Sequence, residues 1–284
     1  PGVANSIKSD LALIKPIAIK MFNIKGEDSD KYFQEVEDKL VEETNYDLEI
    51  SQSKEIAKSC IHIPNLLFPE YYEDYSSDRI ITMDFMKGEH LSEFAKYNSD
   101  TKKANQLGQA LWDFYMFQIH TLKKVHADPH PGNFLINEDA QLIALDFGCM
   151  KSIPDNFYVP YFELSDKNII DNPILFKEKL YELEILTPTD TNEELTFFTA
   201  MFHELLSVFT LPFHVAIFDF SNPEFFSKIG DLAERYSKST ELRKFNGNRG
   251  SKHFIYINRT FFGLYSLMFD LKASAVKINQ FKNY

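Results

Sequence analysis

Short polar side chains gather around a turn in the segment KVHADPHPGNFLINEDAQLIALDFGCM, residues 124–150. Asp128 and Asn133 belong to one loop, in which two prolines and a glycine restrict the backbone between them. Two apolar runs, FLIN and QLIAL, follow this loop, and the second leads into Asp146 of the tripeptide DFG. If these runs pair as a hairpin, Asp146 returns to a position beside Asp128 and Asn133.

Two carboxylates and an amide oxygen at one end of a hairpin suit Mg²⁺, which prefers oxygen ligands in octahedral geometry. Phosphoryl transfer uses this ion to neutralise phosphates, and it needs a carboxylate that orients or deprotonates the acceptor. A Pro/Gly/Asp-rich loop alone is more often only a turn, and an isolated DFG is common by chance. The ordered pattern H-x-D-x-x-x-x-N, apolar strand, turn, apolar strand, D-F-G is far more specific. It predicts a site for Mg²⁺ and the phosphates of a nucleotide.

Short strands are expected to position these groups. Phe134–Asn137 and Gln141–Leu145 are predicted as the two strands of the hairpin, joined by the turn EDA. Earlier in the chain, NLLFPEYYED and DRIITMDFM predict two more strands, joined by the turn-prone DYSSD. A short helix is predicted in KGEHLSEF, just after the second of these strands.

Helical periodicity dominates the rest of the chain. One long helix is predicted from about Lys31 to Ser59 and another from Thr101 to about Lys123. On the first of these, Glu43 and Asp47 fall on the apolar stripe. From Asp155 onward the pattern is helical and rich in Phe, so the fold class is predicted to be α+β.

Composition limits the classes of partner. The chain has 284 residues, and 30 Lys and Arg against 42 Asp and Glu give a formal net charge of −12. This acidic balance without a basic cluster excludes nucleic acid as the expected partner, although it is compatible with a nucleotide. Two cysteines are too few for a disulfide framework and fit a reducing compartment such as the cytoplasm. No apolar segment reaches the roughly 20 residues needed to span a bilayer.

The motifs together resemble a known family. HAD, Asn133 and DFG in this order resemble the protein-kinase-like superfamily, and HADPHPGN followed by LDFG resembles the UbiB (AarF-like) family of atypical kinases, named for ubiquinone biosynthesis. Four more segments resemble parts of that family: PGVANSIKSDLALIK, EETNYDLE, ITMDFMKGEHLSEF and INRTFFGLYSL.

The resemblance implies a two-lobed kinase-like fold. Residues 1–86 would form an incomplete small N-lobe of helices and two strands, ending at the hinge. Residues 87–284 would form a large, mostly helical C-lobe that holds the catalytic loop 126–133 and the DFG segment 146–148.

The resemblance also assigns roles around the hairpin, residue by residue. Asp128 would be the catalytic carboxylate, and His126 would brace its loop from behind. Asn133 and Asp146 would be the ligands of Mg²⁺. The role of His130 stays open between a functional contact and packing of the turn.

On the nucleotide side, the resemblance makes Glu43 the start of a Glu-x-Asp motif and Glu49 the partner of a strand Lys. Asn45 replaces the Asp of that motif, which removes a negative charge. Periodicity places Glu43 on the apolar stripe and Glu49 away from it, and a solvated helix face is the alternative for both. The hinge is expected to bind adenine through its backbone, at Met83, Asp84 and Met86.

The activity implied by the resemblance is that of an atypical kinase or ATPase that uses Mg-ATP. It would support ubiquinone or related isoprenoid-lipid metabolism, with isoprenoid lipids or quinone-biosynthesis proteins as partners. Its expected location is cytoplasmic, with a peripheral contact at the inner membrane.

Three other functions agree less well with the sequence motifs. A Ser/Thr protein kinase is disfavoured because no A-P-E follows Gly148 and because His130 stands where such kinases usually have Lys. A small-molecule phosphotransferase of the aminoglycoside or choline kinase type shares the H-x-D-x-x-x-x-N loop. A non-catalytic scaffold that binds nucleotide also remains open.

The glycines form no G-x-G pair, and no V-A-x-K-like strand precedes Glu43. By resemblance, the strand Lys that meets Glu49 would lie a few residues before Pro1. The chain is therefore expected to lack the N-terminal part of the family's domain and to be inactive alone.

Overall fold

The computed structural model describes residues 45–245 and 249–278. In chain order, the helices and strands are α1 (Tyr46–Cys60), β1 (Leu66–Leu67), β2 (Glu89–His90), α2 (Leu91–Tyr97), α3 (Thr101–Phe117), β3 (Lys124–His126), β4 (Phe134–Ile136), β5 (Leu142–Ala144), β6 (Met150–Ser152), α4 (Asp155–Glu163), α5 (Lys167–Ile170), α6 (Pro173–Glu182), α7 (Asn192–Phe209), β7 (Ile217–Phe218), α8 (Pro223–Ser237), α9 (Thr240–Lys244), α10 (Lys252–Asp270) and β8 (Val276–Lys277). Short 3₁₀ turns lie at Glu73–Tyr75, Pro131–Asn133 and Leu211–His214, and a π-helical turn lies at Gln118–Leu122.

A four-stranded sheet holds the predicted hairpin, in the order β1-β5-β4-β2. β4 and β5 are antiparallel, with Phe134 opposite Ala144, and both lie within the strands predicted from the sequence. β1 joins β5 in parallel and β2 joins β4 antiparallel. The α+β fold class is confirmed, since helices cover most of the chain after this sheet.

A second, two-stranded sheet is formed by the segments that precede and follow the hairpin in the chain. β3 and β6 pair antiparallel, with Lys124 opposite Ser152 and His126 opposite Met150. The N–H of Ala127 also donates to the carbonyl of Cys149 over 2.9 Å. The loop after β3 and the DFG segment before β6 are therefore held together at their outer ends.

The helical core forms around α3. Trp112 is fully buried, with its ring centroid 5.7 Å from those of both Phe213 and Phe220. Phe261 and Tyr265 of α10 complete this aromatic core, and both are almost fully buried. No helix in the described ranges is long and apolar enough to cross a membrane.

Two predictions of secondary structure are wrong in detail. The helix predicted from Lys31 to Ser59 is not continuous, because Asn45 is non-helical and its side chain accepts a hydrogen bond from the N–H of Leu48 as the N-cap of α1. Asp47 is consequently exposed rather than part of a buried stripe. Residues before Asn45, including Glu43, lie outside the described part of the chain.

The two strands predicted in NLLFPEYYED and DRIITMDFM are shorter than expected. The first contributes only β1. The two segments then pair through the single bridge of Tyr71 with Met83, and a second bridge joins Ser77 of the predicted turn to Ile80. The 3₁₀ turn at Glu73–Tyr75 interrupts regular pairing between these bridges.

Candidate functional site

The catalytic-loop segment begins at β3, whose position depends on the end of α3. The helix predicted to reach Lys123 changes after Phe117 into a π-helical turn, and Lys123 adopts a left-handed conformation with φ of 52°. The π turn carries the buried side chain of Gln118, whose Oε1 accepts the backbone N–H of His126 over 2.9 Å. A buried glutamine thus fixes the last residue of β3.

His126 lies behind the loop, with only 2% of its surface exposed. Its ring is 5.9 Å from that of Phe147 in an edge-on arrangement. Burial lowers the pKa of His126, and the nearby carboxylates of Asp128 and Asp146 only partly oppose this effect. A neutral, packed imidazole in this position fits the bracing role predicted for it.

Asp128 is partly exposed at the start of the loop, and α10 approaches it from the opposite side. Nη2 of Arg259 donates to Oδ1 of Asp128 over 2.6 Å. One turn further along α10, Gly263 packs against Pro129, where an added Cβ would clash with the ring and lie 2.9 Å from the Pro129 carbonyl oxygen. The absence of a side chain at Gly263 therefore allows α10 to dock on the loop.

Asn133 is held by its own loop and by the strand that ends at the DFG segment. Its Nδ2 donates to the carbonyl of Asp128 over 3.1 Å, which leaves the amide oxygen as the atom able to bind a metal. The N–H of Leu145 donates to the Asn133 carbonyl over 3.1 Å. His130 closes the turn, because its Nδ1 accepts the N–H of Gly132 over 3.1 Å.

Asp146 follows Leu145 and is exposed, while the next residue is buried. The N–H of Gly148 donates to Oδ1 of Asp146 over 2.8 Å, which orients the carboxylate. The side chain of Phe147 has 1% of its surface exposed and packs near Phe68 and Phe114. The buried aromatic ring anchors the segment and leaves the Asp146 carboxylate in solvent.

Glu49 of α1 lies beside this carboxylate. A Cβ added to Gly148 would be 3.4 Å from Oδ1 of Asp146 and 3.7 Å from Oε2 of Glu49, so the two acids flank the same glycine. Burial, followed by the charge of Asp146, raises the pKa of Glu49 from 4.5 to about 7. The structure therefore brings Glu49 beside Asp146, whereas Glu43 lies outside the described residues.

The hinge residues lie along the edge of the short bridged segment. Met83 pairs with Tyr71, and the N–H of Asp84 donates to the carbonyl of Glu70 over 2.9 Å. The carboxylate of Asp84 accepts a hydrogen bond from the hydroxyl of Tyr72 over 2.8 Å, on the exposed side of this segment. Met86 is the remaining hinge residue predicted to bind nucleotide, and it is partly exposed.

Asn133 and Asp146 offer an amide oxygen and a carboxylate, and Asp128 lies on the same loop as Asn133. This set fits Mg²⁺, which commonly binds one or two protein oxygens and completes its octahedron with water and phosphates. Softer metals prefer thiolate and imidazole ligands, and this set of oxygen atoms supplies neither. Within residues 45–245 and 249–278, no group of three or more His, Cys, Asp or Glu is placed to hold an ion.

A family model, the ABC1 atypical kinase-like domain, matches residues 1–172. The chain belongs to this family. The sequence-based resemblance to the UbiB type of atypical kinase is thereby confirmed, as two similar curated proteins also indicate. The mitochondrial atypical kinase COQ8 of Saccharomyces cerevisiae is 29% identical over 166 residues, which cover 58% of this chain and 33% of that protein. The chloroplastic protein ACTIVITY OF BC1 COMPLEX KINASE 3 of Arabidopsis thaliana is 28% identical over 158 residues, which cover 55% of this chain and 22% of that protein.

The fold of this ABC1-family chain also matches a solved structure, the complex of Rv3197 with erythromycin from Mycobacterium tuberculosis. The TM-score is 0.69 at 19% identity, over 96% of this chain and 66% of that one. This similarity shows the fold alone. The matched region spans only about a fifth to a third of the two curated relatives described above.

Three residues of the ABC1-type site could not be assigned from the sequence motifs: Gln118, Arg259 and Tyr71. Gln118 holds His126 and Arg259 holds Asp128, while the hydroxyl of Tyr71 donates to the carbonyl of Leu145 over 2.7 Å. A signal existed only for Arg259, because a glycine four residues later in a bulky helix indicates a close contact on the same helix face.

Proposed function

We propose that this chain carries a Mg-ATP site of an ABC1-type atypical kinase or ATPase, with Asn133 and Asp146 as the metal ligands. The observation that carries this proposal is the hydrogen bond from the N–H of Leu145 to the carbonyl of Asn133. It joins the residue before Asp146 to the catalytic loop, so both candidate ligands belong to one hydrogen-bonded unit. When bound, Mg²⁺ would neutralise phosphate charge.

In this proposal, Asp128 orients the acceptor or a water molecule for attack on the terminal phosphate. Its side chain is partly exposed, as contact with an acceptor requires. The ion pair with Arg259 occupies Oδ1 and leaves Oδ2 for this contact. His126 remains neutral and packed behind the loop, where it acts as a brace rather than as a base.

The nucleotide would extend from the metal towards the hinge. Backbone groups at Met83, Asp84 and Met86 are the proposed contacts of adenine, and the side chain of Asp84 keeps its structural bond to Tyr72. Glu49 is proposed to meet a lysine near the phosphates, because its half-buried carboxyl beside Asp146 gains most from a cation. Glu43 is proposed as a second acidic residue that contributes to nucleotide binding.

The test of the metal site is Asp146→Asn, with Asp139→Asn as a matched control at the other end of the same hairpin. Asp139 lies in the exposed turn and its N–H donates to Asn137, away from the site. Binding of a fluorescent ATP analogue is titrated with Mg²⁺. Asp146→Asn should abolish the metal-dependent part of binding, and Asp139→Asn should keep it. Equal Mg²⁺-dependent affinity in all three folded proteins contradicts the assignment.

For the cellular role, we propose support of ubiquinone or related isoprenoid-lipid metabolism, at the cytoplasmic face of a membrane and through peripheral contact. The similarity to the mitochondrial atypical kinase COQ8 supports the metabolic part of this proposal. The proposed partners are isoprenoid lipids or quinone-biosynthesis proteins.

Because this chain is expected to be inactive alone, ATP turnover is measured on a version extended upstream through the expected strand Lys, and it distinguishes this role from its rivals. Stimulation by phospholipid vesicles or by quinone-like phenols supports it. Phosphate transfer to an added amino alcohol favours a small-molecule phosphotransferase instead. Nucleotide binding without any turnover favours a scaffold.

A further inference from the structure

Tyr71 lies where the hinge, helix α1 and the strand leading to Asp146 meet. Its ring is buried, with 5% of the residue surface exposed. Its hydroxyl donates to the carbonyl of Leu145 over 2.7 Å, although the two residues are 74 positions apart. Its backbone pairs with that of Met83 in the hinge.

We propose that Tyr71 is a positioning residue that fixes the orientation of Asp146 and ties it to the hinge. This inference rests on the proposed role of Asp146 as a metal ligand. Tyr71 contacts neither metal nor nucleotide in this proposal, and it acts only through the peptide group that precedes Asp146.

The first step concerns the backbone of Leu145. Its N–H is bonded to Asn133 and its C=O to Tyr71, so hydrogen bonds hold it on both sides. The carbonyl of Leu145 belongs to the peptide that links it to Asp146. Rotation of that peptide would turn the Asp146 carboxylate away from Asn133, and the Tyr71 hydroxyl opposes this rotation.

The second step concerns the connection to the hinge. Hydrogen bonds on both sides of the Tyr71–Met83 bridge make this a rigid unit: the N–H of Tyr72 donates to the Thr82 carbonyl over 2.8 Å, and the N–H of Asp84 donates to the Glu70 carbonyl over 2.9 Å. A shift of the hinge therefore moves Tyr71 and, through its hydroxyl, the peptide before Asp146. This provides a direct path by which adenine contacts affect the metal ligand.

The third step concerns the side chain itself. Phe at this position would fill the same buried space and would lack only the hydroxyl, so Tyr71→Phe removes the bond to the Leu145 carbonyl together with the contact of the same hydroxyl with Ser53 of α1. The next residue supplies a matched control. Tyr72 also donates its hydroxyl, to Asp84 over 2.8 Å, but that bond lies at the hinge and not at the metal site.

The experiment compares the wild-type chain, Tyr71→Phe and Tyr72→Phe by two measurements. Hydrogen exchange without metal or nucleotide reports on the backbone at 145–149. Tyr71→Phe should speed exchange there about threefold to tenfold, as expected for one lost hydrogen bond, and Tyr72→Phe should not. Titration of a fluorescent ATP analogue with Mg²⁺ should show a half-saturating Mg²⁺ concentration raised by a similar factor in Tyr71→Phe alone, with metal-free nucleotide affinity unchanged.

The two measurements separate this inference from the function on which it rests. If exchange at 145–149 is unchanged in Tyr71→Phe, or if it rises across the whole chain, Tyr71 has no positioning role. If exchange rises locally but the Mg²⁺ dependence is unchanged, the inference is also overturned. If the wild-type chain shows no Mg²⁺-dependent binding at all, the proposed function fails, and with it the role assigned here to Tyr71.

Discussion

Replacing Glu49 by Gln is expected to stabilise the metal-free protein at pH 8, although Glu49 lies in the candidate site. Burial, followed by the charge of Asp146, raises the pKa of the Glu49 carboxyl from 4.5 to about 7. A group whose pKa is raised in the folded state contributes its full stability below the unfolded pKa, and this contribution is lost as the pH rises through the folded pKa. Stability due to Glu49 therefore falls between pH 4.5 and about 7, and above this range its carboxylate repels Asp146.

The magnitude follows from the size of the pKa change. Each tenfold change in proton affinity corresponds to about 1.4 kcal/mol. The rise from 4.5 to about 7 thus sets an upper limit of about 3.4 kcal/mol on the destabilisation at pH 8. Because Glu49 keeps part of its surface in water, solvent screening reduces the expected gain for Glu49→Gln to about 1–2 kcal/mol.

The assay is urea unfolding in the presence of a chelator, at several values between pH 5 and pH 8. The free-energy difference between Glu49→Gln and wild type should grow with pH, and saturating Mg²⁺ should reduce it by neutralising Asp146. Glu55→Gln is the control on the same helix, because Glu55 is exposed and paired with Lys124 over 2.9 Å. A difference that does not depend on pH, or a loss of stability in Glu49→Gln at pH 8, refutes the reasoning.

Three further substitutions probe other contacts. In a version of the chain extended upstream through the expected strand Lys, Asp128→Asn should lower kcat with little change in nucleotide affinity, because orientation of a nucleophile acts mainly in the transition state. An equal loss of both would make Asp128 a metal ligand or a structural brace. Gly263→Ala should displace α10 from Pro129 and destabilise the chain by about 1–3 kcal/mol in urea unfolding, whereas an unchanged midpoint contradicts the close contact. Arg249→Leu should cost about 3–5 kcal/mol by the same measurement, because it leaves buried Asp190 without its 2.6 Å ion pair, and the loss should shrink at acidic pH as Asp190 takes up a proton.

The hairpin was open to prediction because its signals are local. Apolar residues of β4 and β5 flank a polar turn, and both strands follow from these residues alone. The order of Asp128, Asn133 and Asp146 along the chain also predicts that they meet, once the hairpin pairs. The structure brings these three segments together through the bond from the Leu145 N–H to the Asn133 carbonyl and the bond from the Asn133 side chain to the Asp128 carbonyl.

Other features depend on contacts that no local pattern records. Helix α1 starts after Asn45 because the side chain of this residue caps it, and periodicity averaged over the predicted helix does not detect such a cap. Glu49, in the first turn of this helix, lies beside Asp146. Arg259 and Tyr71 reach the site from distant parts of the chain, so their roles require the tertiary fold.

β4 pairs with β5, and the paired strands β3 and β6 lie on either side of this hairpin in the chain. This nesting has a consequence for how the protein folds. Both pairings are local in sequence, within residues 124–152, so the chain entropy lost on closing each loop is small. Contacts of low sequence separation can form before distant ones, and Arg259 lies more than a hundred residues further along the chain than Ser152. The hairpin unit is thus able to form first, and α10 then docks on a surface that already exists.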